Sequence, residues 1–187
     1  MARLSPIFIC FRGPQALNDS FGHVAGSSCL AGDTVHHATL WRRDHPIDLD
    51  TFGGTASSAS RVNRKDAVIG DYVLSDGTVH GFLWQNASWT DIGSLGESVT
   101  FPAALNDSNV VTGQSDITSD LDPVYGIPHF HGFVWQAGVL TDFGPIFGSN
   151  FNYGNAIDAA GGRRRCALDF VESGLCAGPG CAASWPC

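Results

Sequence analysis

HHATLW (36–41), VHGFLW (79–84) and FHGFVW (130–135) are one short element written three times. Each sets a His four residues before a Trp: His37 and Trp41, His80 and Trp84, His131 and Trp135. Seven residues after each Trp stands an aspartate, Asp48, Asp91 and Asp142. An Asn opens a turn upstream of each element, Asn18 in ALNDS, Asn63 in RVNRK and Asn106 in ALNDS again, and the step from Trp to the next Asn is 22 residues both times. Glycines at Gly26, Gly70 and Gly113 follow these Asn residues by eight, seven and seven positions. A constant period of this size marks a repeat architecture and decides the fold before any single element is assigned.

Each copy holds four short β-type segments. In the second copy they are Ala59–Asn63, Ala67–Val73, Val79–Trp84 and Trp89–Ile92, separated by turn-forming residues. The alternation in HGFLW sends His80, Phe82 and Trp84 to one face and Gly81 and Leu83 to the other, so both faces are apolar. Such a sheet needs cover on both sides, and stacked copies of itself supply it without helices. The expectation is an all-β fold of tandem four-stranded repeats, a partial β-propeller of about three blades plus a strand. The repeat domain spans 15–162, with copies at 15–54, 55–97 and 98–148 and a partial fourth at 149–162, where Asp158 takes the place of the turn Asn. The first 14 residues read as a separate segment, disordered or a truncated leader. Residues 163–187 read as a Cys-rich tail outside the repeat: Arg163-Arg164-Arg165-Cys166 stands where a Val-Val-Gly strand is due, as a one-base frameshift of valine codons would produce.

Composition narrows the function classes. The 187 residues carry 10 basic and 18 acidic side chains, a net charge of −8, and residues 15–162 alone hold 5 basic and 16 acidic groups. A nucleic-acid groove needs clustered cations, so nucleic acid is excluded as a partner. No apolar run is long enough for a transmembrane helix. Cys10 and Cys29 lie near one end and Cys166, Cys176, Cys181 and Cys187 near the other, with no zinc spacing; in an exported chain they would pair as disulfides.

ALND, VVTG, HGFVW and LTDFG in this order resemble the HAF-repeat family, described as a probable extracellular bacterial repeat, over residues 15–162. Gly81 and Gly132 stand where the family has Ala, Thr39 stands where it has Phe, and Arg64 replaces the Asp beside the turn Asn. The resemblance implies a propeller-like β-repeat and secretion, and carries no activity. Kelch repeats need paired glycines in every copy, and of the WD-repeat dipeptides Trp-Asp is absent and Gly-His occurs once, at Gly22-His23, and in no other copy.

The recurring His is expected to make a structural hydrogen bond to the turn Asn or Asp of its own blade rather than to bind metal, and the recurring Trp to pack in the core. Trp89 lies outside the pattern and is the candidate exposed aromatic. The interval from glycine to His is 11, 10 and 18 residues in the three copies, so Ser115–Pro128 reads as a long surface loop. It carries Asp116, Asp120, Asp122 and Tyr125, with His129 next to it, and is expected to be a solvated acidic insertion, with Ca²⁺ binding the alternative. No cofactor is implied. Two functions follow: a non-catalytic extracellular scaffold or binding module for a protein or carbohydrate ligand, or a hydrolase or lyase whose axial site uses Asp120, Asp122 and His129. Three blades and a strand do not close a ring, so the chain is expected to be part of a longer repeat protein or to self-associate through its open blade edges.

Overall fold

The computed structural model describes residues 16–18, 22–29, 35–43, 45–145, 149–158 and 163–167, the first and last of these segments as backbone alone. The segment 1–14, the tail beyond Ala167 and Cys10, Cys176, Cys181 and Cys187 lie outside the described residues.

Among the described residues every regular element is a β-strand. The first sheet is a meander of β1 (Ala16–Asn18), β2 (His23–Cys29), β3 (His36–Arg42) and β4 (His45–Asp48). The second repeats it with β5 (Ala56–Val62), β6 (Val68–Val73), β7 (Val79–Gln85) and β8 (Ser88–Asp91). The third uses β9 (Thr100–Leu105), β10 (Val111–Leu121), β11 (Pro128–Gln136) and β12 (Val139–Asp142), and β13 (Asn152–Ile157) with β14 (Arg163–Ala167) begin a fourth. All pairings within these sheets are antiparallel between sequence neighbours. The expected all-β, tandem four-stranded, partly propeller-like architecture is what the chain adopts.

The two-faced pattern of the sheets builds the core. Phe82 and Trp84 on one face of the second sheet pack with Ala38, Leu40 and Leu49 of the first copy, while Leu83 and Ile92 on the other face pack with Val111, Phe133 and Trp135 of the third. Phe82 and Phe133 are wholly buried, and Trp84 and Trp135 nearly so, in matching positions between consecutive sheets. Trp41 holds the same place on the first sheet and is half-buried.

A bulge recurs where the glycines sit. The register slips between Ala59 and Arg61, at the Pro102–Ala104 step, and between Gly154 and Ala156, each time three residues before the turn position at Asn63, Asn106 or Asp158. Gly70 and Gly113 face these bulges, and a Cβ there would run into the backbone of Ser58 and Phe101.

The turn asparagines explain the stacking. Asn63 Oδ1 accepts the amides of Lys65 and Ala67 (both 2.9 Å), closing its own turn, and its Nδ2 donates to the Asn106 carbonyl (2.9 Å). Asn106 repeats this, accepting from Ser108 and Val110 (both 2.9 Å) and donating to the Asp158 carbonyl (3.0 Å). Each buried Asn thus shapes one turn and joins it to the next. Asn18 ends β1 opposite His23. A second junction recurs near the opposite strand ends: Ser57 Oγ accepts the Ala38 amide (2.7 Å) and donates to the Asp50 carbonyl (2.6 Å), and Asn152 accepts the Gly132 amide (2.9 Å) and donates to the Gly144 carbonyl (3.1 Å).

The repeat continues past the boundary expected at residue 162. Arg163, Arg164 and Arg165 pair with Ile157, Ala156 and Gly154, the register that Val68, Ile69 and Gly70 keep with Val62, Arg61 and Ala59. Ladder hydrogen bonds come from the backbone, so pairing persists for five residues after the apolar pattern has ended.

Asn106→Ala removes two turn bonds and the link to the fourth unit from a buried site. It is expected to cost about 2–4 kcal/mol in urea unfolding, against under about 0.5 kcal/mol for Ser75→Ala at an exposed turn position.

Candidate functional site

The meander sends every hairpin of the second-to-third-strand type to one end of the stack and every turn Asn to the other. At the hairpin end the recurring His and Asp meet. His37 Nδ1 donates to Asp48 (3.0 Å), His80 to Asp91 (3.1 Å) and His131 to both oxygens of Asp142 (3.0 Å). The same carboxylates accept the amides of Asp50 (2.8 Å), Gly93 (2.8 Å) and Gly144 (2.7 Å), so each pair pins the exit of its fourth strand. Tyr72 adds its hydroxyl to Asp91 (3.1 Å), and burial, then the Asp91 charge, push that hydroxyl well above the usual tyrosine range. The three pairs stay with their own sheets, and among the described residues no three His, Cys, Asp or Glu side chains gather as for a metal ion.

Ser115–Pro128 is not the loop expected. β10 runs on through Leu121 and pairs at Leu121 with Pro128 of β11, so only 122–127 form the turn. The stretch Ile117-Thr118-Ser119 suits an extended backbone, and the strand carries through it although the ladder with β11 is interrupted between Asp116 and Leu121. Asp122 organises the tip: Oδ1 accepts the amides of Val124 (2.8 Å) and Tyr125 (3.0 Å), and Oδ2 lies 3.2 Å from His129 Nε2. The Tyr125 amide leads the causes that hold Asp122 below the usual carboxylate range. Tyr125, His129 and Phe130 stand against Phe151 of the fourth unit with ring centroids 5.6, 5.1 and 5.4 Å apart, which ties the hairpin stem to the next sheet.

The sequence singled out acids here, and the tip is chiefly apolar. Leu121 (60%) and Val124 (78%) are largely exposed, with Tyr125 and Ile127 beside them. The 18-residue interval was the available signal for a protruding hairpin, and Leu121, Val124 and Ile127 were overlooked beside their charged neighbours. Asp120 is exposed, its amide bonded to Thr118 Oγ1 (3.0 Å), and its carboxylate enters none of the ion pairs among the described residues. Asp116 is half-buried on β10, and desolvation, then the charge of Glu97, raise its carboxyl above the usual range. Of the three residues of the acid–base set, Asp122 and His129 meet.

Trp89 is not a free aromatic platform. It is half-buried, stacked on Phe52 (4.8 Å, 12°) and tilted against Phe82 (4.1 Å), so its faces are taken and the exposed ring is Phe52.

One pocket opens among the strands at the hairpin end. It has a volume of about 370 Å³ and is lined by His36, Ala56, Ser57, Ser58, Asp71, Val73, Val79 and Phe101, from three consecutive repeats. Phe101 is 40% exposed and forms an aromatic wall.

No family model, curated protein or solved structure matches this chain.

The carboxyls at this end titrate in opposite directions. In a ¹³C-carboxyl NMR titration Asp122 is expected below the ordinary range and Asp116 above it, with Asp122 staying low in His129→Ala because the Tyr125 amide acts first. The folded state binds the Asp116 proton more tightly than the unfolded chain, so this group's contribution to stability falls as pH rises from the unfolded pKa through the raised folded one. Asp116→Asn is accordingly expected to keep or raise the urea midpoint at pH 7; a clear loss would contradict this account of Asp116.

Proposed function

We propose that this chain is a non-catalytic β-repeat scaffold or binding module of the HAF-repeat kind, with the β10–β11 hairpin as its contact surface. The observation that carries this reading is the hairpin itself: the one lengthened copy of a repeated turn, stiffened by Asp122 and tipped with exposed Leu121, Val124, Tyr125 and Ile127. Exposed apolar groups held on a protruding, ordered loop mark a contact site. Aliphatic tips suit an apolar protein surface better than a sugar, which prefers aromatic faces, so a protein ligand is favoured over a carbohydrate. The disulfide at Cys29 supports an extracellular, secreted setting, because disulfides persist in oxidising compartments. Further repeats, in a longer chain or a second copy, would complete the ring by adding to the open edges.

The hydrolase or lyase alternative would rest on Asp122 and His129, the two of its residues that meet. The test joins both readings. Purified protein and the double variant Leu121→Ser/Val124→Ser are applied to arrayed extracellular proteins and glycans, and both are assayed on polysaccharides and esters. Saturable binding to a defined protein, lost in the variant at unchanged melting temperature, is the expected result. Turnover that Asp122→Ala abolishes would replace this reading with the enzymatic one, and saturable binding that the variant retains would move the contact surface elsewhere.

A further inference from the structure

The junctions between consecutive copies are built alike, with one difference in residue type. Where the second copy meets the third, Leu95 follows Asp91 by four residues and donates its amide to Ser115 Oγ (3.1 Å), and Leu140 precedes Asp142 by two; both leucines pack against the core. Where the first copy meets the second, the same three positions are aromatic. Phe52 follows Asp48 by four residues, Tyr72 faces His80 across the ladder as Ser115 faces His131, and Trp89 precedes Asp91 by two. Leucine and serine satisfy the packing of the later junction, so stacking of the sheets does not itself call for three rings.

The rings leave one face uncovered. Phe52 stacks on Trp89 (centroids 4.8 Å apart, planes 12° apart), and Tyr72 meets Phe52 edge-on at 5.3 Å. The Tyr72 and Trp89 centroids are 6.2 Å apart, too close for Tyr72 to lie on the far side of Phe52 from Trp89, so Tyr72 stands beside the stacked pair. Phe52 is 41% exposed, which leaves the face turned away from Trp89 to solvent. Its backbone is left-handed (φ 53°), a conformation that bulky residues rarely adopt and that Leu95 does not share. Conformational cost of this kind is retained where a site needs the side chain held in place.

Hydrogen-bond acceptors adjoin that face. The His80 ring lies 5.5 Å from Tyr72, and its side chain is 28% exposed, against 12% for His37 and 6% for His131. Because Nδ1 donates to Asp91, Nε2 of the neutral ring is an acceptor, and it has no protein partner among the described residues. Asp91 Oδ2 receives His80 and Tyr72, while Oδ1 receives the Gly93 amide alone and keeps a lone pair. A ligand matched to this set has a flat C–H face and hydroxyl donors around it. An all-equatorial pyranose has both, its axial C–H groups lying against the ring and its hydroxyls reaching the rim. A proline-rich segment also stacks on aromatic rings, but proline brings no N–H for His80 and Asp91.

We propose that Phe52, His80 and Asp91 form a binding site for a neutral oligosaccharide of all-equatorial pyranoses, one sugar stacked on the Phe52 ring and its hydroxyls donating to His80 Nε2 and Asp91 Oδ1. A sugar carrying a carboxylate would set its charge against Asp91, which restricts the class to neutral chains. The site goes beyond the hairpin reading and rests on none of the hairpin residues, so either can fail without the other.

The test uses the full ¹⁵N-labelled chain titrated with cellotetraose, and in parallel with tetragalacturonate and hexaproline. Cellotetraose is expected to shift the Trp89 indole signal and the amides of Phe52 and Gly93 saturably, while the other two leave them unmoved. Phe52→Leu, which installs the side chain of the later junction, weakens cellotetraose binding about tenfold, and Phe52→Tyr retains it within about twofold. His80→Ala weakens it about fivefold. Phe101→Ala removes a similarly exposed ring outside the cluster and changes binding by less than about twofold. Phe52→Leu carries the comparison if His80→Ala does not fold. The proposal is overturned if cellotetraose produces no saturable shifts at these signals, if Phe52→Leu binds as well as the unaltered chain, if Phe101→Ala weakens binding as much as Phe52→Leu, or if tetragalacturonate or hexaproline binds there in preference.

Discussion

A sheet that is apolar on both faces cannot stand alone in water, and the architecture of this chain follows from that. The second sheet turns Phe82 and Trp84 one way and Leu83 and Ile92 the other, and both sets are buried by neighbours that carry the same pattern. Burying one such aromatic or aliphatic side chain is worth about 1.5–3 kcal/mol, more than a surface ion pair contributes. Stacking is thus dictated by the core. The polar groups at the strand ends set its register: Asn63 and Asn106 join the turns at one end, and Ser57 and Asn152 anchor the first strand of one sheet to the third strand of the sheet before it.

The repeat was legible because its chemistry is local and periodic. Asn63 and Asn106 announce their turns by type and spacing, and the two faces of the HGFLW and HGFVW strands follow from alternation alone. The links between copies were less visible. The Asn side chains reach 43 and 52 residues along the chain, to Asn106 and Asp158, and no local pattern states such a partner. The same limit applies to Trp89, whose cover is Phe52 from the preceding copy. Ser115–Leu121 read as a loop because the interval from glycine to His lengthens there, although Ile117 and Thr118 are at home in an extended strand and the ladder resumes at Leu121. Arg163–Ala167 read as outside the repeat because the apolar side-chain pattern ends before it, and strand pairing does not need that pattern.

The proposed contact surface sits on what the repeat leaves variable. The recurring His–Asp pairs hold the exits of the fourth strands in all three copies, and their sameness suits a structural duty. The differences lie at the hairpin end: eight extra residues between glycine and His relative to the second copy, and a pocket walled by Phe101 and Asp71. The exposed apolar tip of the β10–β11 hairpin and this pocket lie at the same end of the strands.

Cross-sheet contacts measured in solution test the mutual cover of the sheets most directly. In a ¹³C-edited NOESY spectrum, Leu40 and Leu49 should show contacts with Val68 and Phe82, and Leu83 and Ile92 with Val111 and Phe133. Finding both sets confirms that each face of the second sheet is buried by a different copy. Absence of either set, with the strands themselves intact, would contradict it.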